Sequence, residues 1–219
     1  MSGESDVTVA STGVVRPAGP RVVIVRHGET EHNAGGVWQG QLDTPLSERG
    51  LDQARAAGAA LAAYRPSRVI ASDLERATVT AREIAAAAGV GDVELDPRWR
   101  EINVGQWQGL RTSEVRERYA AELAQMDVED IARGVDGETL KAVGVRAGEA
   151  LREVLDTVGE DECVVVVAHG VSSRAALAEL FGLDPLAATK TLATMGNCHW
   201  AELVRGRLGW QIGAWNVHA

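Results

Sequence analysis

The 219-residue chain reads as an α/β fold, a three-layer α/β/α arrangement around a largely parallel sheet with a mixed edge. Three observations predict it. RVVIV (residues 21–25) and CVVVVA (163–168) are short, unbroken apolar runs, the composition of strands buried on both faces of a parallel sheet. Strand-like and amphipathic helical segments alternate between and around them, as crossover connections require. The length suits one domain with excursions better than two.

Residues 1–20, with Ser, Gly, Pro and only scattered apolar positions, are expected to form a flexible N-terminal tail, and residues 21–219 the single domain. RVVIV is its first strand. From about Ser47 to Tyr64, Leu51, Ala54, Gly58 and Leu61 recur on one face of a helix. SRVIA (67–71) is the next strand. Ser72 and Glu75 have capping-box spacing, and Leu74, Ala77, Ala81, Ile84 and Ala88 give the following helix a stripe that ends at Gly89. Residues 93–111 read as short strand and loop, and Thr112 to Met126 as a helix. Leu140, Val143, Ala147, Leu151, Val154 and Val158 line a longer helix stopped by Gly159. After CVVVVA, Ser172 or Ser173 is expected to cap a helix reaching about Phe181. From Cys198 to Asn216, two strand-like runs joined across Gly206 predict an antiparallel edge.

Composition narrows the function classes. Lys and Arg number 22 against 31 Asp and Glu, a net charge of −9, which argues against a nucleic-acid or anionic-lipid surface. An anionic ligand must therefore be held by a local positive pocket. Cys163 and Cys198 lie far apart with no metal-binding spacing, so neither a disulfide framework nor a thiolate zinc site is expected. No apolar stretch reaches the roughly 18 residues of a membrane span, and the N-terminus lacks the order of a signal peptide, so a cytoplasmic protein is expected.

Polar residues of unusual type stand where apolar strands stop. The first strand runs into Arg26-His27-Gly28, the second into Ser72-Asp73 with Arg76 one helical turn later, and the third into His169-Gly170. In open α/β sheets the ligand lies beyond such carboxyl ends. Two guanidinium forks and two imidazoles there suit a compact dianion such as a phosphoryl group, and Gly28 removes a side chain where backbone must approach closely. A neutral His27 can attack phosphorus if its other N–H is tied to a carbonyl or carboxylate. Arg26, Arg76 and His169 would hold the charge. Glu101, on an irregular segment with Gly105 and Gly109, is the candidate acid for the leaving alkoxide. Asn33 either caps the turn after the first strand or lends its amide to the phosphate. His32, Glu29 and Glu31 read as solvated or as supports. The six tryptophans read as core or interface anchors, with Trp38 and Trp107 also able to wall the pocket. No metal site and no cofactor is expected.

VRHGETEHN (25–33), QGQLDTPLSERG (39–50), ASDLERATVTA (71–81), RWREINVGQWQG (98–109) and VVAHG (166–170), in this order, resemble the motifs of the histidine phosphatase, or phosphoglycerate mutase-like, superfamily over nearly all of residues 21–219. The resemblance implies a phosphohistidine at His27. It also implies phosphoryl binding by Arg26, Arg76 and His169, with Glu101 as proton donor. Asn33, Gln39, Gly40, Gly28 and Gly170 would line the substrate site, with no metal. Within the superfamily the chain is similar to the phosphatase branch, because the stretch from Thr112 to Thr139 lacks the long basic insertion of the mutases. QGQLDTPLS, GQWQGL, MGNCHWAEL and AWNVHA resemble the actinobacterial glucosyl-3-phosphoglycerate phosphatases, while HGVSSRA departs from the family by placing Val171 beside the pocket.

The implied function is metal-independent hydrolysis of a small phosphorylated metabolite, glucosyl-3-phosphoglycerate or a broader range of esters. The alternatives are a cofactor-dependent phosphoglycerate mutase and, in another class, a catalytically weak phospho-ligand-binding protein. The C-terminal edge strand is compatible with a homodimer.

Overall fold

The computed structural model describes residues 19–219; residues 1–18, most of the expected tail, lie outside the described residues. In chain order the elements are β1 (Arg21–Arg26), α1 (Glu31–Ala34), α2 (Glu48–Ala62), β2 (Arg68–Ala71), α3 (Glu75–Ala88), β3 (Glu94–Leu95), α4 (Thr112–Arg118), α5 (Ala120–Met126), α6 (Leu140–Thr157), β4 (Cys163–Ala168), α7 (Gly170–Leu180), α8 (Pro185–Thr191), β5 (Trp200–Gly206) and β6 (Gly209–Val217). Two short 3-10 turns, Pro97–Trp99 and Gly105–Trp107, occupy the irregular stretch after β3.

The six strands form one sheet in the order β3-β2-β4-β1-β5-β6. The first four are mutually parallel, β5 runs antiparallel to β1, and β6 antiparallel to β5. The sheet is therefore parallel with a mixed edge, as the sequence predicts. Strand alternation explains its two faces. Val22 and Ile24 point toward α6 and α7, packing with Ala147, Leu151, Val154 and Leu177. Val23 and Val25 point the other way, against Leu61 of α2 and Ala77, Ala81 and Ile84 of α3. All four β1 side chains are fully buried, each contributing on the order of 1.5–3 kcal/mol.

The register of β1 on β4 positions the site. Arg21 pairs with Cys163 and Arg26 with Ala168, so the two strands end level. His27 and His169 then leave adjacent strands side by side.

Several local expectations give way to tertiary structure. The capping box of Ser72 and Glu75 does not form, because Leu74 is extended (φ −69°, ψ 136°) and α3 starts only at Glu75. Its first N–H is capped from another segment, Asp43 Oδ1 accepting from Glu75 N at 2.7 Å. Neither Ser172 nor Ser173 caps α7: the chain turns at His169 as soon as β4 ends, His169 is the N-cap residue, and Ser172 Oγ accepts from its N–H at 3.2 Å. The helix expected over 112–126 is split at Tyr119 (φ −130°, ψ 35°), whose ring packs 5.8 Å from that of Trp107. The short α8 has a local cause that the periodicity does not reveal: Pro185 opens it, and Asp184 Oδ1 accepts from Ala187 N at 2.8 Å.

Candidate active site

The structure brings His27, Arg26, Arg76, His169 and Glu101 together beyond the carboxyl ends of β1, β2 and β4. The imidazoles of His27 and His169 lie with ring centroids 5.0 Å apart. His27 Nδ1 meets the carbonyl oxygen of Gly28 at 2.7 Å. A carbonyl only accepts, so Nδ1 carries the hydrogen and Nε2 keeps the lone pair. Burial, then the Arg76 charge, then the Arg26 charge push this imidazole well below the usual histidine range. It is a neutral ring with a fixed tautomer. His169 is equally buried and, for the same leading reasons, equally disposed to neutrality. Its Nδ1 accepts from Arg76 Nε at 3.3 Å, which makes Nε2 the N–H donor. That Nε2 is buried and has no partner among the described residues.

Arg76 is held as a plate. Nη1 donates to Leu42 O at 2.7 Å, Nη2 to Gly40 O at 2.8 Å and Nε to His169. Three of its five N–H groups are thereby fixed, and two remain on the same rigid fork. Burial lowers its pKa to about 10, with Glu101 and Asp43 opposing the shift. Arg26 donates from Nη1 to Met195 O at 2.5 Å, while its Nε is buried without a partner among the described residues. Burial lowers its pKa too, and Glu101 counteracts.

Glu101 approaches from the irregular segment after the first 3-10 turn. Oε1 accepts from Ile102 N at 2.9 Å and Ser172 N at 3.1 Å, and Oε2 accepts from Val171 N at 3.1 Å. The carboxyl group therefore rests on the N-terminus of α7 and accepts from its free N–H groups. Oε2, with one donor, retains room for a proton. The backbone carbonyl of Glu101 is clamped by Gln41 Nε2 and Arg146 Nη2, each at 3.0 Å.

The expected lining residues take distinct positions. Asn33 takes part in capping the turn after β1: Thr30 is the N-cap of α1, and Asn33 Oδ1 completes the capping box by accepting from Thr30 N at 3.2 Å. The same Oδ1 accepts from Asn197 Nδ2 at 3.2 Å, which leaves the Asn33 NH2 end as donor. Gln39 is buried and receives the Thr30 hydroxyl at 2.9 Å. Gly40 (φ +52°) presents its carbonyl to Arg76. The close approach at Gly28 is to protein: a Cβ there would stand 2.5 Å from Gly50 O of α2. At Gly170 a Cβ would lie 3.8 Å from Arg26 Nε, in ordinary contact. Trp107 is fully buried and packs edge-on to Trp38 with centroids 5.1 Å apart, so it supports the segment behind Glu101 and does not wall the pocket. His32 Nδ1 bonds Thr44 Oγ1 at 3.1 Å.

Two residues at the site were not anticipated. Asn197, on the loop before β5, also donates from Nδ2 to His27 O at 3.1 Å; nothing local marks it. Arg174 stands on α7 one turn beyond Gly170, a spacing that was available to be read. Among the described residues no cluster of three or more His, Cys, Asp or Glu side chains is placed to hold a metal ion, and no helix is long and apolar enough to cross a membrane.

A model of the histidine phosphatase superfamily (branch 1) matches residues 22–218. The chain belongs to this superfamily. Among relatives of this histidine phosphatase, a glucosyl-3-phosphoglycerate phosphatase of Mycolicibacterium vanbaalenii is 37% identical, covering 91% of this chain and 95% of that protein. A probable phosphoglycerate mutase of an Enterobacter species is 32% identical over 90% of each chain. A solved mycobacterial glucosyl-3-phosphoglycerate phosphatase, complexed with VO3, superposes with a TM-score of 0.82 at 36% identity, covering 90% of this chain and 98% of that one.

Proposed function

We propose that this histidine phosphatase hydrolyses phosphate monoesters of a small metabolite through a phosphohistidine at His27. The observation that carries the reading is the Nδ1 contact of His27 with Gly28 O at 2.7 Å, which fixes the tautomer and aims Nε2 as nucleophile. In the first step Nε2 donates its pair to phosphorus as the P–O ester bond breaks, and Glu101 gives its proton to the departing alkoxide. In the second step Glu101 takes a proton from water, the oxygen attacks phosphorus, and the P–N bond breaks to release phosphate. The free N–H groups of Arg26, Arg76 and His169 Nε2 serve the equatorial oxygens throughout, with Asn33 adding its amide.

Hydrolysis is favoured over mutase chemistry by the segment between Glu101 and α6. It is short and its end folds back on the acid segment: Glu138 N donates to Asn103 O at 2.8 Å, and a Cβ on Gly134 would meet Val104 O at 1.8 Å. Without the long basic insertion of the mutases over this segment, the phosphoenzyme is expected to be open to water. Glucosyl-3-phosphoglycerate is the specific substrate candidate, supported by the similarity to the mycobacterial enzymes. A homodimer is supported by β6, an edge strand of the sheet that carries the half-buried Trp210, Ile212 and Trp215.

The test uses the purified full chain with 4-nitrophenyl phosphate and 3-phosphoglycerate. Free phosphate is the expected product, EDTA leaves the rate unchanged, and His27→Ala lowers kcat by at least 1000-fold on the order expected for removing a nucleophile. Activity retained by His27→Ala, or abolished by chelation, rules the mechanism out. The 2-isomer as main product from 3-phosphoglycerate would make the protein a mutase.

A further inference from the structure

Arg174 is an arginine without a structural occupation. It lies four residues after Gly170 and three after Val171, on the same face of α7. A helical side chain leans toward the N-terminus of its helix, which here is the end that carries His169 and seats Glu101. The Arg26 guanidinium lies at that end as well, within 3.9 Å of where a Gly170 Cβ would stand. Arg174 is half-buried and borders the gap lined by Val171, Pro185 and Ala188. Its single hydrogen bond is a long one, Nη1 to Leu192 O at 3.4 Å, and its Nε is buried without a partner among the described residues.

The other partly buried arginines outside the phosphoryl pocket, Arg68, Arg98, Arg100 and Arg146, are paired. Arg146 grips Glu138 with Nε and Nη2 at 2.8 and 2.9 Å, and Arg98 grips Glu153 with Nη1 and Nη2 at 2.8 and 2.7 Å. Arg174 forms no ion pair among the described residues. Burial lowers its pKa with only the Glu101 charge opposing, and its own charge in turn lowers that of Arg26. A half-desolvated cation next to another cation, with most of its fork unused, costs stability in the free protein. Such a cost is offset when an anion binds.

Glu101 marks where the leaving group departs, so an arginine that shares the field of Glu101 from the next turn of α7 stands on the alcohol side of the substrate. We propose that Arg174 binds a carboxylate on the alcohol portion of the substrate, making the preferred substrates phosphate esters of hydroxy acids. A monoanion fits better than a second phosphate, because one guanidinium fork matches a single carboxylate in shape and in charge. This assignment rests on the phosphatase reading above and adds the group recognised beyond the phosphoryl pocket.

The experiment compares 3-phosphoglycerate with glycerol 3-phosphate, which differ in a carboxylate against a hydroxymethyl group. The wild type is expected to favour 3-phosphoglycerate in kcat/KM. Arg174→Met should lower that preference at least tenfold, mainly through KM, while Arg174→Lys, which keeps the charge and loses the fork, should lower it less. Because preference is a ratio within one protein, partial loss of folded enzyme cancels. No wild-type preference, a change smaller than tenfold in Arg174→Met, or a stronger preference for a bisphosphate overturns the assignment. If the wild type turns over neither ester nor 4-nitrophenyl phosphate, the hydrolase reading fails by itself. Calorimetric titration with the same two esters then decides on Arg174: tighter binding of 3-phosphoglycerate that Arg174→Met removes supports it, and equal binding overturns it.

Discussion

At the scale of single residues the site depends on shape as much as on charge. Arg76 is fixed by the carbonyls of Gly40 and Leu42 and by His169 Nδ1, and a lysine can satisfy only one of those directions at a time. Arg76→Lys is therefore expected to lower kcat/KM for a phosphate ester by about 100-fold or more, in the range of losing a preorganised donor. Steady-state kinetics on a variant with unchanged secondary structure checks it; a loss under threefold would mean that charge alone suffices. The residues that the sequence revealed are those tied to an element boundary. His27 and His169 each follow a strand end, and Arg76 lies in the first turn of α3, so pattern and place coincided. Glu101 could be chosen only through its glycine-rich surroundings and the family motif. Asn197 lies in the stretch MGNCHWAEL but was not singled out, because it reaches His27 and Asn33 across more than 160 residues of chain from a loop with no periodicity.

At the scale of elements, the packing of α2 against the turn after β1 is a tight joint behind the site. A Cβ on Gly50 would fall 1.9 Å from Glu29 O, and one on Gly28 2.5 Å from Gly50 O. Gly50→Ala must push the turn carrying His27 off the helix, and a destabilisation of about 1–3 kcal/mol is expected, accompanied by a fall in kcat. Gly91→Ala, where nothing lies within 4 Å of the added carbon, should stay within about 0.5 kcal/mol. Urea unfolding of both variants checks the contrast, and equal midpoints would refute it. Apolar periodicity made α2, α3 and α6 legible because each buries one stripe against the sheet. Element starts were less so. Caps chosen by spacing lost to partners from elsewhere: Asp43 took the place of Ser72 at α3, and the end of β4 placed the start of α7 at His169. The break at Tyr119 likewise comes from a ring docking on Trp107, which no local breaker announces.

At the scale of the whole molecule, two neutral buried imidazoles link stability to pH. Both native values lie well below 6.5, with burial the leading cause and the neighbouring cations next, whereas in the unfolded chain both rings titrate near 6.5. Above about pH 6.5 neither state protonates them and their contribution is complete. As pH falls toward the depressed native values the unfolded chain takes up as many as two more protons, so stability declines by up to about 2.7 kcal/mol per pH unit. The lowered carboxyls of Asp73, Glu94 and Glu138 act in a more acidic window, since their ordinary values already lie below 5. Urea unfolding of the wild type and of the His27→Gln, His169→Gln double variant at pH 7.5, 6.0 and 5.0 reads the effect. The double variant should show the flatter dependence, and parallel curves would contradict it.

The level register of β1 and β4, with Arg26 opposite Ala168, also divides the chain into parts that tolerate change unequally. Insertions in the turns at Gly91 or Gly209, where nothing lies within 4 Å of an added Cβ, remodel only the periphery. One residue gained or lost within either central strand would invert every following side chain between the two faces of the sheet and send one of the paired imidazoles into a helix layer. Changes of length are thus tolerated in the outer turns, while the spacing of the two middle strands admits none.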